Sequence, residues 1–183
     1  MATIAGELDR GASASLVERA AAGDEAAFAR IVAAHHDAMA RVAFIVTGDL
    51  DLADDAVAAA WALAWRRLRS LREPDKLRSW LVSIAANEAR GLARARRRHT
   101  VVELDVAADL ADGGRDPAAR AQDLDLANAL ATLHPDDRAL LALRYVAGFD
   151  SFELARATGR SASGTRARLA RLLAKLRTEL DHG

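Results

Sequence analysis

The chain has 183 residues, enough for one domain or two small ones, and 51% of them are hydrophobic, enough for real cores. Lys plus Arg and Asp plus Glu are equal at 26 each, so no overall positive charge marks the chain for nucleic acid. There is no cysteine, which excludes disulfides and thiolate metal sites and suits a reducing cytoplasm, and no apolar run approaches the ~20 residues of a membrane span. The amino terminus lacks the basic-then-apolar plan of a signal peptide, so a cytoplasmic protein is expected. Alanine is the commonest residue, prolines number three and aromatic residues are few, a composition that favours helices over sheets. The expected fold class is all-α.

Residues 1–14 are small and polar and are expected to fray. Ser15 to Glu18 has capping-box spacing, which predicts a short helix to Ala22 stopped by Gly23. Asp24 caps a longer helix in which Phe28, Ile31, Val32, His35, Met39, Val42, Ala43 and Val46 form one apolar stripe ending at Thr47-Gly48-Asp49. A third helix is predicted from about Asp51 to Leu71, with Leu52, Ala56, Ala60, Leu63 and Leu68 inward and Asp54 and Asp55 near its positive end. Trp61 and Trp65 stand four apart and share a face, available to the core or to a partner, with the core expected for at least one.

Ser70 to Ser79 reads as a polar loop around Glu73-Pro74-Asp75, bearing Arg72, Lys76 and Arg78. The fourth helix should bury Trp80, Leu81, Ile84, Ala85 and Leu92 and present Asn87, Arg90, Arg94 and Arg97 outward. Loop and helix together make a basic face, although Arg96 to Arg98 also suit the helix's negative end on their own account. From His99 to Ala121 the periodicity fails, Gly113-Gly114 and Asp116-Pro117 interrupt it, and acidic residues accumulate, so a flexible acidic linker is expected there. The expected organisation is an extension over 1–23, a helical domain over 24–98, the linker over 99–121 and a second helical domain over 122–183.

That second domain carries Leu124, Leu126, Leu130 and Leu133, then a helix opened by Pro135 with Leu140, Leu141, Leu143, Tyr145 and Val146. From Gly148 to Arg177 the pattern is helix-turn-helix. Phe149, Phe152, Leu154 and Ala155 give a first amphipathic helix, Gly159 supplies a left-handed turn, and Ser161 or Ser163 can cap a second helix. On the second helix Leu169, Leu172, Leu173 and Leu176 take one side among Arg160, Arg166, Arg168, Arg171, Lys175 and Arg177, with no acid between Arg156 and Arg177. Such a helix can pack on a small core and face a polyphosphate, though a basic amphipathic helix is also often a plain solvated face. Catalysis finds no support. His35-His36-Asp37 cannot easily share one ligand because adjacent helical residues diverge by about 100 degrees, and no Gly-rich phosphate loop or Ser-His-acid set is present. Neither a metal nor a cofactor is expected.

Two separate stretches, in order, resemble one family. Phe28 to Val46, Asp55, Trp65, Leu77-Arg78-Ser79-Trp80-Leu81, Ile84-Ala85, Asn87 and the arginine-rich tail match in the first half. Leu133-His134-Pro135, Arg138, Leu143-Arg144-Tyr145, Gly148-Phe149, Glu153-Leu154-Ala155, Gly159, Ser161 and Arg166-Ala167-Arg168-Leu169 match in the second. The chain resembles the extracytoplasmic-function sigma factors of bacterial RNA polymerase, of the sigma-70 family, which keep only sigma regions 2 and 4.

The resemblance implies a transcription initiation factor that binds core polymerase and directs it to two-part promoters. It implies that Asp54, Asp55, Trp61 and Trp65 meet the beta-prime clamp helices, and that the beta flap is a further contact on polymerase. Arg78, Asn87, Arg90, Arg94 and Arg97 would capture the melted minus-10 element, where unstacked bases must be held in pockets. Ser163, Thr165, Arg166 and Arg168 would reach base edges of the minus-35 element, and Arg160, Arg171 and Lys175 would hold its phosphates. The linker would lie in the channel later used by nascent RNA, and an anti-sigma protein could cover both domains. In the free protein the two domains could also pack together through their basic faces and the acidic linker, masking DNA binding. Three departures stand out: Ala58-Ala59 replaces the usual Gln-Glu of the clamp-binding helix, Ser163-Gly164-Thr165 shifts the usual Gly-Thr-Val by one position, and Gly91 stands where an acid is common. The alternative is a helix-turn-helix DNA-binding regulator that does not engage core polymerase.

Overall fold

The computed structural model describes residues 14–99 and 126–181, and all the regular structure among them is helical. Helix α1 covers 14–21, α2 Glu25–Thr47, α3 Leu50–Arg67, α4 Leu77–His99, α5 126–131, α6 Pro135–Leu141, α7 Ser151–Thr158 and α8 Ala162–Asp181. Single 3-10 turns occupy Leu68–Ser70 and Pro74–Lys76, and a π-turn, Ala142–Val146, continues α6. The expected linker falls largely outside the described residues.

Local chemistry sets the first three boundaries. The Asp24 carboxylate accepts from the Ala27 amide at 2.9 Å and starts α2; Gly48, at φ 69°, takes the left-handed conformation that ends it. One residue later Asp49 accepts from the Leu52 amide at 2.9 Å and starts α3, so the chain reverses in two residues. Asp49 also pairs with Arg96, tying the start of α3 to the end of α4. Both Asp24 and Asp49 are held below the usual carboxylate range, first by these backbone hydrogen bonds and then by their arginine partners.

Helices α2, α3 and α4 pack pairwise around Ile31, Met39, Val42, Val46, Leu68, Leu81 and Val82, each 0–1% exposed. Each such side chain contributes about 1.5–3 kcal/mol by leaving water. The α2 stripe is as expected. In α3 the inward face is rotated toward Ala53, Ala56, Val57, Ala60 and Ala64, with Leu52 and Leu63 half-buried, because small residues let the helices approach. Helix α4 starts at Leu77, inside the stretch expected to be loop: Pro74 opens a 3-10 turn that runs straight into it. The amino-terminal turn is less separate than expected, since Val17 and Ala20 are 3% exposed within the same core and Arg69 donates to the Ala21 carbonyl at 2.7 Å.

His35 sits half-buried on α2, and burial, aided by the nearby Arg78 charge, holds its imidazole below the ordinary value. A histidine kept neutral by folding stabilises the native state above its unfolded pKa of about 6.5, and that contribution is lost as pH falls through this value, because the unfolded chain then binds the extra proton. The urea midpoint should therefore drop between pH 7.5 and 5.5, and the drop should shrink in His35→Gln. An equal drop in both proteins would remove His35 from this role.

In the carboxyl-terminal unit, Asp150 and Glu153 form a complete capping box at the start of α7, Gly159 closes it at φ 66°, and Ser161 caps α8 by accepting from the Gly164 amide at 3.1 Å. Of the two serines left open by the sequence, the cap is Ser161. Leu154, Leu169, Leu172 and Leu176 form the expected small core, joined by Phe149 at 2% exposure. Phe152, expected on the apolar face, is 72% exposed on α7. Tyr145 and Val146 are also exposed, where the π-turn breaks the period at the end of α6.

Candidate nucleic-acid interface

The two helical units pack against each other: α6 and the π-turn lie against both α2 and α4, and the buried residues Ala139, Leu140, Leu141 and Leu143 join one continuous core with those of α2 and α4. The α4 arginines meet the second unit at this seam. Arg78 donates to the Ala147 carbonyl at 2.7 Å and Arg97 to the Leu133 carbonyl at 3.3 Å. Arg90 and Arg94 approach the Asp136 carboxylate at 3.7 and 3.8 Å, and Lys76 approaches Glu153 at 3.4 Å. Four of the five side chains expected at the minus-10 element thus face the second unit, while Asn87 is exposed. Partly exposed ion pairs of this length add about 0–1 kcal/mol each, so the apolar contact dominates the seam.

Arg138, at 7% exposure, is the unusual member. Burial, followed by the like charge of Arg97, pulls its guanidinium down to about 10, and its Nε is buried without a hydrogen-bond partner. Its Nη1 lies 3.0 Å from where a Cβ on Gly48 would stand, at the carbonyl end of α2, so the helix dipole offers it partial compensation.

On α8, Ser163, Arg166, Arg171 and Lys175 are exposed, as is Arg160 in the preceding turn. Ser163 and Arg166 are three apart and share a face near the start of the helix, the end that a recognition helix offers to base edges. Arg168 is half-buried and donates to Asp137 at 2.5 Å, so it braces α8 on α6. Lys175 lies 3.6 Å from Glu179. Thr165 is 0% exposed and its Oγ1 has no hydrogen-bond partner, so it faces the unit's own core. Thr165→Val, which keeps the shape and removes the unsatisfied hydroxyl, should leave thermal stability equal or higher and DNA affinity unchanged. A tenfold loss of minus-35 affinity on a competition gel would restore Thr165 as a reader.

The α2 and α3 faces carry the third set. Asp54 and Asp55 are exposed, Trp65 is 38% exposed, and Trp61 is half-buried with its indole N–H donating to His36 Nδ1 at 3.4 Å. Phe28 meets both tryptophans edge to face, at 5.7 Å for Trp61 and 4.7 Å for Trp65. This aromatic cluster, on the helix that also carries Asp54 and Asp55, is of the kind that anchors protein interfaces. Ala58 and Ala59 are exposed on the same helix. Sequence reading had both tryptophans but not Phe28 as their platform, although the spacing within α2 placed it on the stripe.

Among the described residues no group of three metal-ligating side chains occurs, and no helix is long and apolar enough to cross a membrane. The fold and its basic surfaces define a two-unit helical protein with a carboxyl-terminal helix-turn-helix. Residues 31–99 match the Sigma-70 region 2 model and residues 123–176 the Sigma-70 region 4 model. The probable RNA polymerase sigma factor RfaY of Xanthomonas campestris is 34% identical over 170 residues, covering 88% of this chain, which spans 42% of the length of that relative. CnrH of Cupriavidus metallidurans is 30% identical over 178 residues, covering 91% of this chain and 93% of its own length. SigM of Mycobacterium tuberculosis, an ECF RNA polymerase sigma factor, is 30% identical over 177 residues, covering 92% and 88%. Among solved structures, CnrH in complex with the cytosolic domain of CnrY superposes with a TM-score of 0.67 at 29% identity, covering 91% of this chain and 96% of that one. RpoE in complex with the anti-sigma factor NepR, from Bartonella quintana, shares the fold with a TM-score of 0.68 at 23% identity, covering 84% and 96%. The chain belongs to the sigma-70 family, in its extracytoplasmic-function branch, and is a transcription initiation factor.

Proposed function

We propose that this factor docks on core RNA polymerase through Asp54, Asp55, Trp61 and Trp65, with Phe28 as their support, and acts in the cytoplasm without catalysing any step itself. Arg78, Asn87, Arg90, Arg94 and Arg97 on and before α4 hold the melted minus-10 strand. Ser163 and Arg166 read the minus-35 element, Arg160, Arg171 and Lys175 hold its phosphates, and Arg168 acts through α6 by orienting α8. The functional units are proposed as 24–98 and 122–183 with the linker over 99–121, the first unit extended by the packed turns from residue 14. The beta-prime clamp helices and the beta flap are the proposed polymerase contacts.

The observation that carries this reading is the pairing of two sigma regions, each with its own basic helix, on one chain. Since Arg78, Arg90, Arg94 and Arg97 face the second unit, promoter binding requires that unit to leave α4. In the RpoE–NepR complex a sigma factor of this fold is bound by an anti-sigma factor, and a protein of that kind is a proposed partner here. A regulator that ignores polymerase is disfavoured by the region 2 match over 31–99. The test is transcription by core polymerase on fragments of the source genome. Discrete new start sites preceded by a shared two-part element support the reading, and their absence beside an active control sigma factor overturns it.

A further inference from the structure

The seam between the two units holds a partly open pocket of about 180 Å³ whose walls include Arg90 and Arg94 from α4, Asp136 from α6, Thr158 from α7, and Arg160 and Arg168 from the turn and α8. Arg168 is balanced by Asp137. Arg90, Arg94 and Arg160 are left with one nearby carboxylate, and Asp136 stands 3.7 and 3.8 Å from the first two, beyond a good hydrogen bond. Arg90 Nε and Asp136 Oδ1 are both buried without a hydrogen-bond partner. Burial and the like charges of Arg94 and Arg160 hold the Arg90 guanidinium below its ordinary value, with Asp136 acting the other way. Arg90 Nε and Asp136 Oδ1 face each other at 3.7 Å, too far for either to satisfy the other, so three clustered cations share one loosely held carboxylate.

We propose that this pocket is a binding site for the phosphate groups of a small anion, a free diphosphate or the diphosphate end of a nucleotide, and that its occupancy adds to the apolar contact that joins the two units. A pocket of this size suits one or two phosphate groups and excludes a duplex. The forked donors of arginine fit oxyanions, and the site takes cations from both units, so a bound anion bridges them. Neither unit alone has the site. Because Arg90, Arg94 and Arg160 are also the proposed DNA contacts, the anion competes with promoter DNA; that consequence alone rests on the proposed function.

The test is calorimetric titration of the full chain with sodium pyrophosphate in low-salt buffer, compared with Arg160→Gln and with Arg30→Gln, an exposed arginine of α2 away from the seam. One saturable site is expected, weakened about tenfold in Arg160→Gln and unchanged in Arg30→Gln. Thermal melting of each variant confirms that Arg160→Gln still folds. The melting midpoint of the full chain should rise with pyrophosphate, and by less in Arg160→Gln. Adenosine diphosphate binding tighter than pyrophosphate identifies a nucleotide as the source, and equal or weaker binding identifies the free anion. Absence of saturable binding, equal weakening in both variants, or an unchanged melting midpoint overturns the proposal, and none of these readouts depends on polymerase or promoter.

Discussion

Arg166→Ala is expected to cost about 1–3 kcal/mol of minus-35 binding, roughly 5- to 150-fold in affinity, and to relax specificity at one base position. Arg166 is exposed, sits early on α8 and shares a face with Ser163, whereas Arg168 two residues on is committed to Asp137. A guanidinium free of an internal carboxylate can make the bidentate contact to a base edge that carries discrimination. Competition titrations with duplexes altered one base at a time, on the polymerase-bound factor, measure both the loss and its position. Lys175→Ala serves as contrast: it should weaken all sequences alike and reduce the salt slope by about 1. If Arg166→Ala behaves as Lys175→Ala does, Arg166 holds phosphate and the reader lies elsewhere on α8.

Arg138→Met is expected to raise stability by on the order of 1–3 kcal/mol, because a buried guanidinium without a carboxylate partner is replaced by an apolar side chain of similar length. For a chain of this size each kcal/mol raises the melting midpoint by about 2–4 °C. The gain falls in the packed arrangement of the two units, since α6 presents Arg138 toward Gly48 at the end of α2. Promoter affinity should fall accordingly, because DNA binding has to separate the units. Scanning calorimetry and a DNA titration check the two halves. A midpoint lowered by several degrees would mean that the helix dipole at Gly48 outweighs the desolvation of the charge.

These two expectations rest on different levels of legibility. The helices, the left-handed turn at Gly159 and the leucine face of α8 were readable because each depends on local spacing and on backbone rules that act within a few residues. The inward turn of Thr165 was not readable. It lies one residue from Arg166, and a rotation of about 100 degrees separates core from groove. Tyr145 failed for a related reason, since the π-turn breaks the 3.6-residue period on which apolar residues are counted. The seam was the least legible. Asp136 and Asp137 after Pro135 look like ordinary acids at a helix start, and nothing in their spacing reveals that Arg90 and Arg94, more than 40 residues earlier, stand over them. Arg138 reads as an exposed cation, and only the packing of α6 on α2 buries it. Packing of the two units was an expectation of the sequence reading, but the apolar residues that dominate it were not.

The central claim is that the chain acts as a sigma factor by joining polymerase. Its most direct test is gel filtration of the purified protein mixed with sigma-free core polymerase, with Trp65→Ala beside it. Co-elution of the wild-type chain with core, weakened in Trp65→Ala, is the predicted result. A wild-type chain that elutes alone, when the same core preparation retains a control sigma factor, would contradict it.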